Sequence, residues 1–488
     1  MRPVEHGETF VTQDGGEIDQ DLGNYERFLD VNLSKANNIT SGKVYQAVIN
    51  NERSFLYKGR DAEMFPDVID EIKKQIYDRA KGFDFCLVEI GGTSGDLENL
   101  PFLHAAREIG REHKAAYIMV TYLPFLRNVG ELKTKPTQHA VAALRSVGIF
   151  PDVIITRNEI PLDEPRRETI SKRCFVDLEN IIDNPDTPCI YSIPLLFEKE
   201  KVADKILKKF RIRHKKTNLR PWINFIRNIE KPKANVRVGL VGKYFMNGTC
   251  NHRDVYVSVE EALLHAAGNL AIKPTIVPIN SDDPQLDISA LKLDGLIAPQ
   301  GWGSRGTEGI IKAIKYAREN KIPYLGLCFG MQLATVEIAR DLAKLTDANS
   351  AEIDPQTKYP VIHIMPDQAE YLKKNQYGGT IRLGAWTCVL KPGTLISKLY
   401  GHNEISERHR HRYEFNNLFR DQLEKAGLII SGTSPDGQLV EAIELPQTSH
   451  PFFLGTQFHP EYLSRALNPH PIFLGFLKAC REAYKLVK

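Results

Sequence analysis

Several things the 488-residue sequence lacks narrow its class before any motif is read. No run of about 18 apolar residues occurs, so a transmembrane helix is not expected. Residues 1–16 are polar and acidic, without the apolar core of a signal peptide. The 64 Lys and Arg nearly balance the 61 Asp and Glu, and a net charge of +3 gives no general attraction to nucleic acid or anionic membrane. Any anion site must therefore be local. The seven cysteines, at 86, 174, 189, 250, 328, 388 and 480, form no Cys-x-x-Cys pair, which argues against a disulfide framework or structural zinc and for a reducing compartment. The cytoplasm is the expected location. No repeat or low-complexity segment stands out. The phosphate-loop pattern Gly-x-x-x-x-Gly-Lys-Ser/Thr is missing too, since Gly239-Leu240-Val241-Gly242-Lys243-Tyr244 has the wrong spacing.

What is present is ordinary globular texture, 42% hydrophobic and 26% charged, with chain enough for two or three domains. Helical apolar spacing over 67–81 leads into an apolar run at 83–90 that stops at Gly91-Gly92-Thr93. We expect a helix, a buried strand and a glycine loop there. Further strands are expected at 115–120, 153–156 and 189–193, with helices over 101–113 and 137–147 between them. A basic stretch from Lys208 to Lys216, then Pro221-Trp222 and Lys231-Pro232-Lys233, reads as a linker; such runs can bind nucleic acid but are mostly solvated faces. From 236 a second strand–helix alternation begins, with a helix over 258–268 and strands at 236–241, 275–278, 295–298 and 324–327. The expected fold is α/β, two doubly wound, mostly parallel-sheet domains at 1–200 and 236–488 joined by a linker at 201–235.

The chemistry concentrates at Gly326-Leu327-Cys328-Phe329-Gly330-Met331-Gln332, where an apolar run ends at a cysteine and a helical stretch follows. Strand, sharp turn and helix form the geometry that presents a nucleophile above a parallel sheet, with the helix N-terminus favouring the thiolate. Taken alone, Cys328 could equally be an inert buried thiol. Gln457-Phe458-His459-Pro460-Glu461 tips the balance, because His459 can serve as the base and Glu461 can orient it.

These two motifs together resemble the glutaminase domain of the class I, or triad, glutamine amidotransferases. Within that class, the 238–244 tract, Tyr377-Gly378-Gly379-Thr380-Ile381-Arg382-Leu383-Gly384 and Glu407-Arg408-His409-Arg410-His411-Arg412-Tyr413-Glu414 resemble the CTP synthases over nearly the whole chain. The resemblance implies amination of UTP to CTP, driven by ATP and fed with ammonia from glutamine. It implies a catalytic triad of Cys328, His459 and Glu461, an oxyanion hole from the Phe329 N–H and the Pro299-Gln300-Gly301-Trp302-Gly303 loop, and glutamine binding by Gly301, Phe329, Gly330, Met331, Gln332, Glu352 and Arg412. In the first domain it implies Mg²⁺ on Asp21 and Glu89, and nucleotide binding by Asp21, by Asp96, Leu97 and Glu98, and by Lys133, Thr134, Lys135, Pro136, Thr137 and Gln138. GTP as activator, CTP as feedback inhibitor and a homotetramer belong to the same pattern.

The chain also departs from it. Gln300 stands where the family has glycine, and would strain the oxyanion loop if that position required positive φ. Trp302 replaces phenylalanine, Thr169 a lysine and Arg173 an aromatic residue. The first residues correspond to a point inside the family pattern, past a phosphate-loop unit, so the ATP site is expected to be incomplete as written and the first domain to be a truncated phosphate-loop-like fold. A glutaminase with an inactive synthetase domain, or a non-catalytic subunit of an assembly, are the alternatives.

Overall fold

A computed structural model describes residues 7–215, 217–247, 250–251, 254–365, 368 and 380–487. The chain folds as two compact units, one made of Met1–Lys35 with Leu219–Lys488 and the other of Ala36–Asn218. The first 35 residues thus pack with the C-terminal part of the chain, a division that chain order alone does not suggest.

The early segment is a hairpin, β1 (Thr9–Val11) paired antiparallel with β2 (Glu17–Asp19), followed by α1 (Gln20–Leu29). Asp19 caps α1 by accepting from the Asp21 N–H. Phe10, Val11, Ile18 and Leu22 make a small core with Tyr462, so the hairpin is stitched to the other end of its unit.

The second unit opens with three helices, α2 (Ser41–Arg53), α3 (Ile69–Ala80) and α4 (Leu100–Glu112), whose Val44, Val48, Ile69, Ile72 and Ala105 share one core. Then come β3 (Ile118–Leu123), α5 (Lys135–Ser146), β4 (Val153–Asn158), α6 (Glu164–Cys174) and β5 (Ile181–Pro185). The three strands form a parallel sheet in the order β3-β4-β5. Two expected strands are absent. The 83–90 run has no regular structure, and its Phe83, Leu87 and Val88 are exposed, because its backbone finds no pairing strand among the described residues. On β3 the side chains alternate, Met119 and Leu123 inward, Val120 and Tyr122 exposed. The 189–193 run instead forms a 3₁₀ turn, Ile190–Ser192, leading into a helix, Ile193–Lys199, since Pro194 in the helix's first turn favours a helix start.

The rest of the first unit is built on a nine-stranded sheet. Its elements in chain order are β6 (Ala234–Gly242), α7 (Val257–Leu270), β7 (Ile272–Asn280), β8 (Gly295–Ala298), α8 (Thr307–Glu319), β9 (Tyr324–Leu327), α9 (Phe329–Asp341), β10 (Arg382–Leu390), β11 (Glu404–His411), β12 (Ile429–Thr433), β13 (Val440–Glu444), β14 (Phe453–Thr456) and α10 (Pro471–Val487). Strand order is β7-β6-β8-β9-β14-β13-β12-β10-β11. The first five run parallel and the last four antiparallel. One face packs against α8 and α9 through Ile310, Ile314, Val336 and Ile338, the other against α7 and α10 through Val259, Leu263, Phe473 and Phe476. Both faces are covered, which is why β8, β9 and β14 are apolar and buried along their whole length.

A candidate glutaminase site at the carboxyl ends of the strands

Loops after β8, β9 and β14 meet at the carboxyl edge of the parallel strands, where open α/β sheets place their ligand sites. Cys328 follows β9 directly and sits in a strained turn, φ 52° and ψ −97°, as the N-cap of α9. Its own N–H is held by the Thr456 carbonyl at 2.7 Å, and its carbonyl accepts from the Gln332 N–H at 3.1 Å. Gly330 lets the elbow close: a Cβ there would lie 2.0 Å from the Ala298 carbonyl oxygen.

His459 is fixed by two contacts on a buried ring. Its Nδ1 lies 2.7 Å from Glu461 Oε1, and the ring stacks on Tyr462 at 5.0 Å. Nε2 is buried and makes no hydrogen bond. Burial alone would push the imidazole pKa down, but the charges of Glu461 and Cys328 outweigh it and raise the pKa to about 10. The resting ring therefore favours the imidazolium form. Gln457 Nε2 donates to Cys328 Sγ at 3.4 Å, and Gln332 Nε2 contacts both the Tyr413 carbonyl, at 2.8 Å, and Gln457 Oε1, at 3.2 Å.

The loop after β8 is tied down in four places. Trp302 N–H donates to the Tyr244 hydroxyl at 3.0 Å and Gly303 N–H to Glu352 Oε1 at 2.7 Å. Lys243 Nζ donates to the Trp302 and Gly303 carbonyls at 2.9 and 2.7 Å and lies 4.3 Å from the centre of the Phe329 ring. Burial depresses the Lys243 pKa to about 8, against the pull of Glu352. The positive φ in this loop belongs to Gly303, at 73°, and Gln300 is not among the left-handed residues. The strain expected of Gln300 is absent, because the turn is made three residues later.

Glu352 lies close enough to Lys243 and Arg412 to feel both charges, although burial is the larger influence and raises its pKa. Arg412 is buried and donates to the Thr380 hydroxyl at 3.3 Å. The structure thus gathers Cys328, Phe329, Gly330, Gln332, Gly301, Glu352, His459 and Glu461 around one sheet edge, with Arg412 electrostatically linked to Glu352. Met331, at 0% exposed, faces the core. Tyr377, Gly378 and Gly379 lie outside the described residues. Lys243, Tyr244 and Gln457 belong to the site although no motif assigned them a role; only the position of Lys243 at the end of a strand hinted at one.

In the other unit, Lys133, Thr134 and Lys135 line a cavity of about 380 Å³ with Glu131, Arg166 and Thr169. Lys133 pairs with Glu131, which also pairs with Arg166 at 2.5 Å. Thr137 points away into the core, bonded to the Thr121 hydroxyl at 3.0 Å, and Gln138 turns back to Thr134 at 3.0 Å. Pro136 forms the first turn of α5. Asp96 accepts from the Thr93 N–H at 3.1 Å, with Leu97 exposed beside it and Glu98 next in a single helical turn. Glu89 lies next to the end of the 83–90 run of this unit, whereas Asp21 lies in α1 of the first unit, its pKa raised by burial and by Asp19. Among the described residues no group of three or more His, Cys, Asp or Glu gathers as a metal cage. A carboxylate is nonetheless the kind of hard-oxygen donor that Mg²⁺ takes when phosphates and water complete its shell.

A cysteine in a strand–helix elbow, with a histidine and glutamate from a neighbouring strand end, defines a class I glutamine amidotransferase, and that family's model matches residues 251–479. The model described as CTP synthase N-terminus matches residues 1–212. The chain is 48% identical to a CTP synthase of Caldanaerobacter subterraneus subsp. tengcongensis over 98% of its own length and 89% of that protein's. It is 47% identical to one from Methanocaldococcus jannaschii at the same 98% and 89% coverage. Among solved structures, the Trypanosoma brucei CTPS glutaminase domain with bound acivicin is similar, at 35% identity over 51% of this chain and 94% of that one, with a TM-score of 0.45. The chain belongs to the CTP synthase family.

Proposed function

We propose that Cys328, His459 and Glu461 hydrolyse glutamine and that the ammonia released feeds the glutamine-dependent conversion of UTP to CTP that defines this family. The buried Glu461–His459 pair beside the strained Cys328 elbow carries the reading. The thiolate attacks the side-chain amide carbon of glutamine, and charge develops on the amide oxygen. Phe329 N–H at the start of α9 and Gly301 N–H are the donors we assign to that oxyanion. His459 gives its proton to the departing ammonia, leaving a thioester, then takes a proton from the water that cleaves it to glutamate. Glu352 is assigned to the substrate ammonium and Arg412 to its carboxylate, a match of charge and fork geometry.

On the synthetase side, the Lys133–Lys135 cavity is assigned to the pyrimidine nucleotide, with Asp96 to Glu98 nearby in sequence for the product. ATP activates the 4-oxygen of UTP by phosphorylation, and ammonia displaces the phosphate. Asp21 and Glu89 are each assigned to Mg²⁺ by the family pattern alone, and the ion would shield triphosphate charge when bound. GTP as activator, CTP as feedback inhibitor, a homotetramer and a synthetase domain spanning 1–200 complete the family reading. Cys86, Cys174, Cys328, Cys388 and Cys480 form no disulfide, which supports the cytoplasmic reading, and among the described residues no helix is long and apolar enough to cross a membrane. The test is ammonia release from glutamine by wild type and Cys328→Ala: below a hundredth of wild-type turnover supports the assignment, and more than a tenth rejects it.

A further inference from the structure

Gln300 occupies the first position of the oxyanion loop, and its side chain reaches a residue 292 positions away. Gln300 Nε2 donates to Glu8 Oε1 at 2.8 Å. Glu8 is 2% exposed, and its other oxygen accepts the Ser258 N–H at 2.7 Å, in the first turn of α7. Its own N–H donates to the Asp254 carbonyl at 3.0 Å. Ser258 is anchored in turn by Arg27, whose Nη2 donates to its hydroxyl at 2.7 Å. The carboxylate is thus a fixed post, set between a helix N-terminus and the loop. The other loop tethers, from Tyr244, Lys243 and Glu352, all act at Trp302 or Gly303. Among the described residues Gln300 is the one that restrains the front of the loop from its side chain, and the peptide after it carries the Gly301 N–H.

We propose that Glu8 and Gln300 form a positioning pair: the early segment of the chain, through Glu8, holds the front of the 299–303 loop so that the Gly301 N–H points at the developing oxyanion. The proposal rests on the glutaminase reading above. It makes glutamine hydrolysis depend on a segment that belongs, by sequence match, to the synthetase part of the chain. It also explains how glutamine is accommodated at a position with ordinary backbone φ: the side chain is used as a tether.

The test is an inversion of the pair. Gln300→Glu sets two carboxyl groups against each other, and adding Glu8→Gln restores one donor and one acceptor while leaving a carbonyl for the Ser258 N–H. Ammonia release from glutamine is measured in the full chain with UTP, ATP and Mg²⁺, alongside the rate at which iodoacetamide alkylates Cys328, which needs no oxyanion hole. We expect kcat for Gln300→Glu to fall at least tenfold with KM for glutamine and the alkylation rate within twofold, and the double variant to recover to within threefold of wild type. A Gln300→Glu enzyme within twofold of wild type overturns the pair, as does a double variant no better than the single one. A wild-type chain that releases no ammonia overturns the Cys328 reading and this one with it.

Discussion

Holding a cysteine at φ 52° costs on the order of 1–3 kcal/mol, and the Cys328 turn is maintained because the flanking backbone is bonded on both sides. The same region favours a charged histidine. The His459 pKa, raised to about 10 from 6.5, means that folding gains from its proton fully below pH 6.5 and loses that gain as pH rises through 10. In Glu461→Gln the upward push shrinks, so the fall in urea midpoint between pH 7 and 10 should be shallower than in wild type; equal slopes would deny the coupling. Glutamine turnover of the same variant should drop by about 10²- to 10⁴-fold, as when an orienting carboxylate is neutralised elsewhere. Glu8 behaves in the same direction. Burial raises its pKa to about 7, so stability present below about pH 4.5 is lost as pH rises through 7, and Glu8→Ala should remove that component. Urea midpoints at pH 5 and 8 check it. Cys328, His459 and Glu461 were legible because their residue types and local motifs carry the chemistry. Glu8 and Lys243 were not, since nothing near them in sequence says what they meet. The expected strain at Gln300 failed for a related reason: φ is set by the turn, and the left-handed residue is Gly303.

Among the elements, the elbow depends on α9 lying hard against β8. Gly330→Ala should displace the helix or the strand, because its Cβ would meet the Ala298 carbonyl at 2.0 Å. Glutaminase activity should be lost, with the melting temperature several degrees lower; unchanged activity would contradict the close approach. α1 offers a second case. Glu26, fully buried, bonds Arg408 on β11 at 2.9 Å and Arg465 at 2.7 Å. Glu26→Gln takes the carboxylate from two buried guanidinium groups that keep only neutral acceptors such as Asn32 and should cost about 3–5 kcal/mol, read from urea unfolding. Most parallel strands and helices were visible in apolar periodicity. The 83–90 run departs from the expected strand, because an apolar run looks like a strand whether or not a neighbour is present to pair with it. At 189–193 apolar content alone favours a strand, whereas Pro194 marks the start of a helix.

For the molecule as a whole, composition texture suggested boundaries near 200 and 236, yet packing joins the first 35 residues to the C-terminal unit through Glu8, Phe10 and Glu26. Chain order carries no trace of such long-range contacts. A fragment beginning at Leu219 should therefore unfold at lower urea than the full chain and hydrolyse glutamine more slowly, since it lacks Glu26 for its buried arginines and Glu8 for its loop. The central claim is that Cys328 supplies ammonia for making CTP. The measurement is CTP formation from UTP, ATP and Mg²⁺ by Cys328→Ala, with glutamine or with ammonium as nitrogen source. The account predicts loss of the glutamine-driven rate to below a hundredth of wild type with the ammonium-driven rate within twofold; glutamine-driven CTP formation that survives the substitution would contradict it.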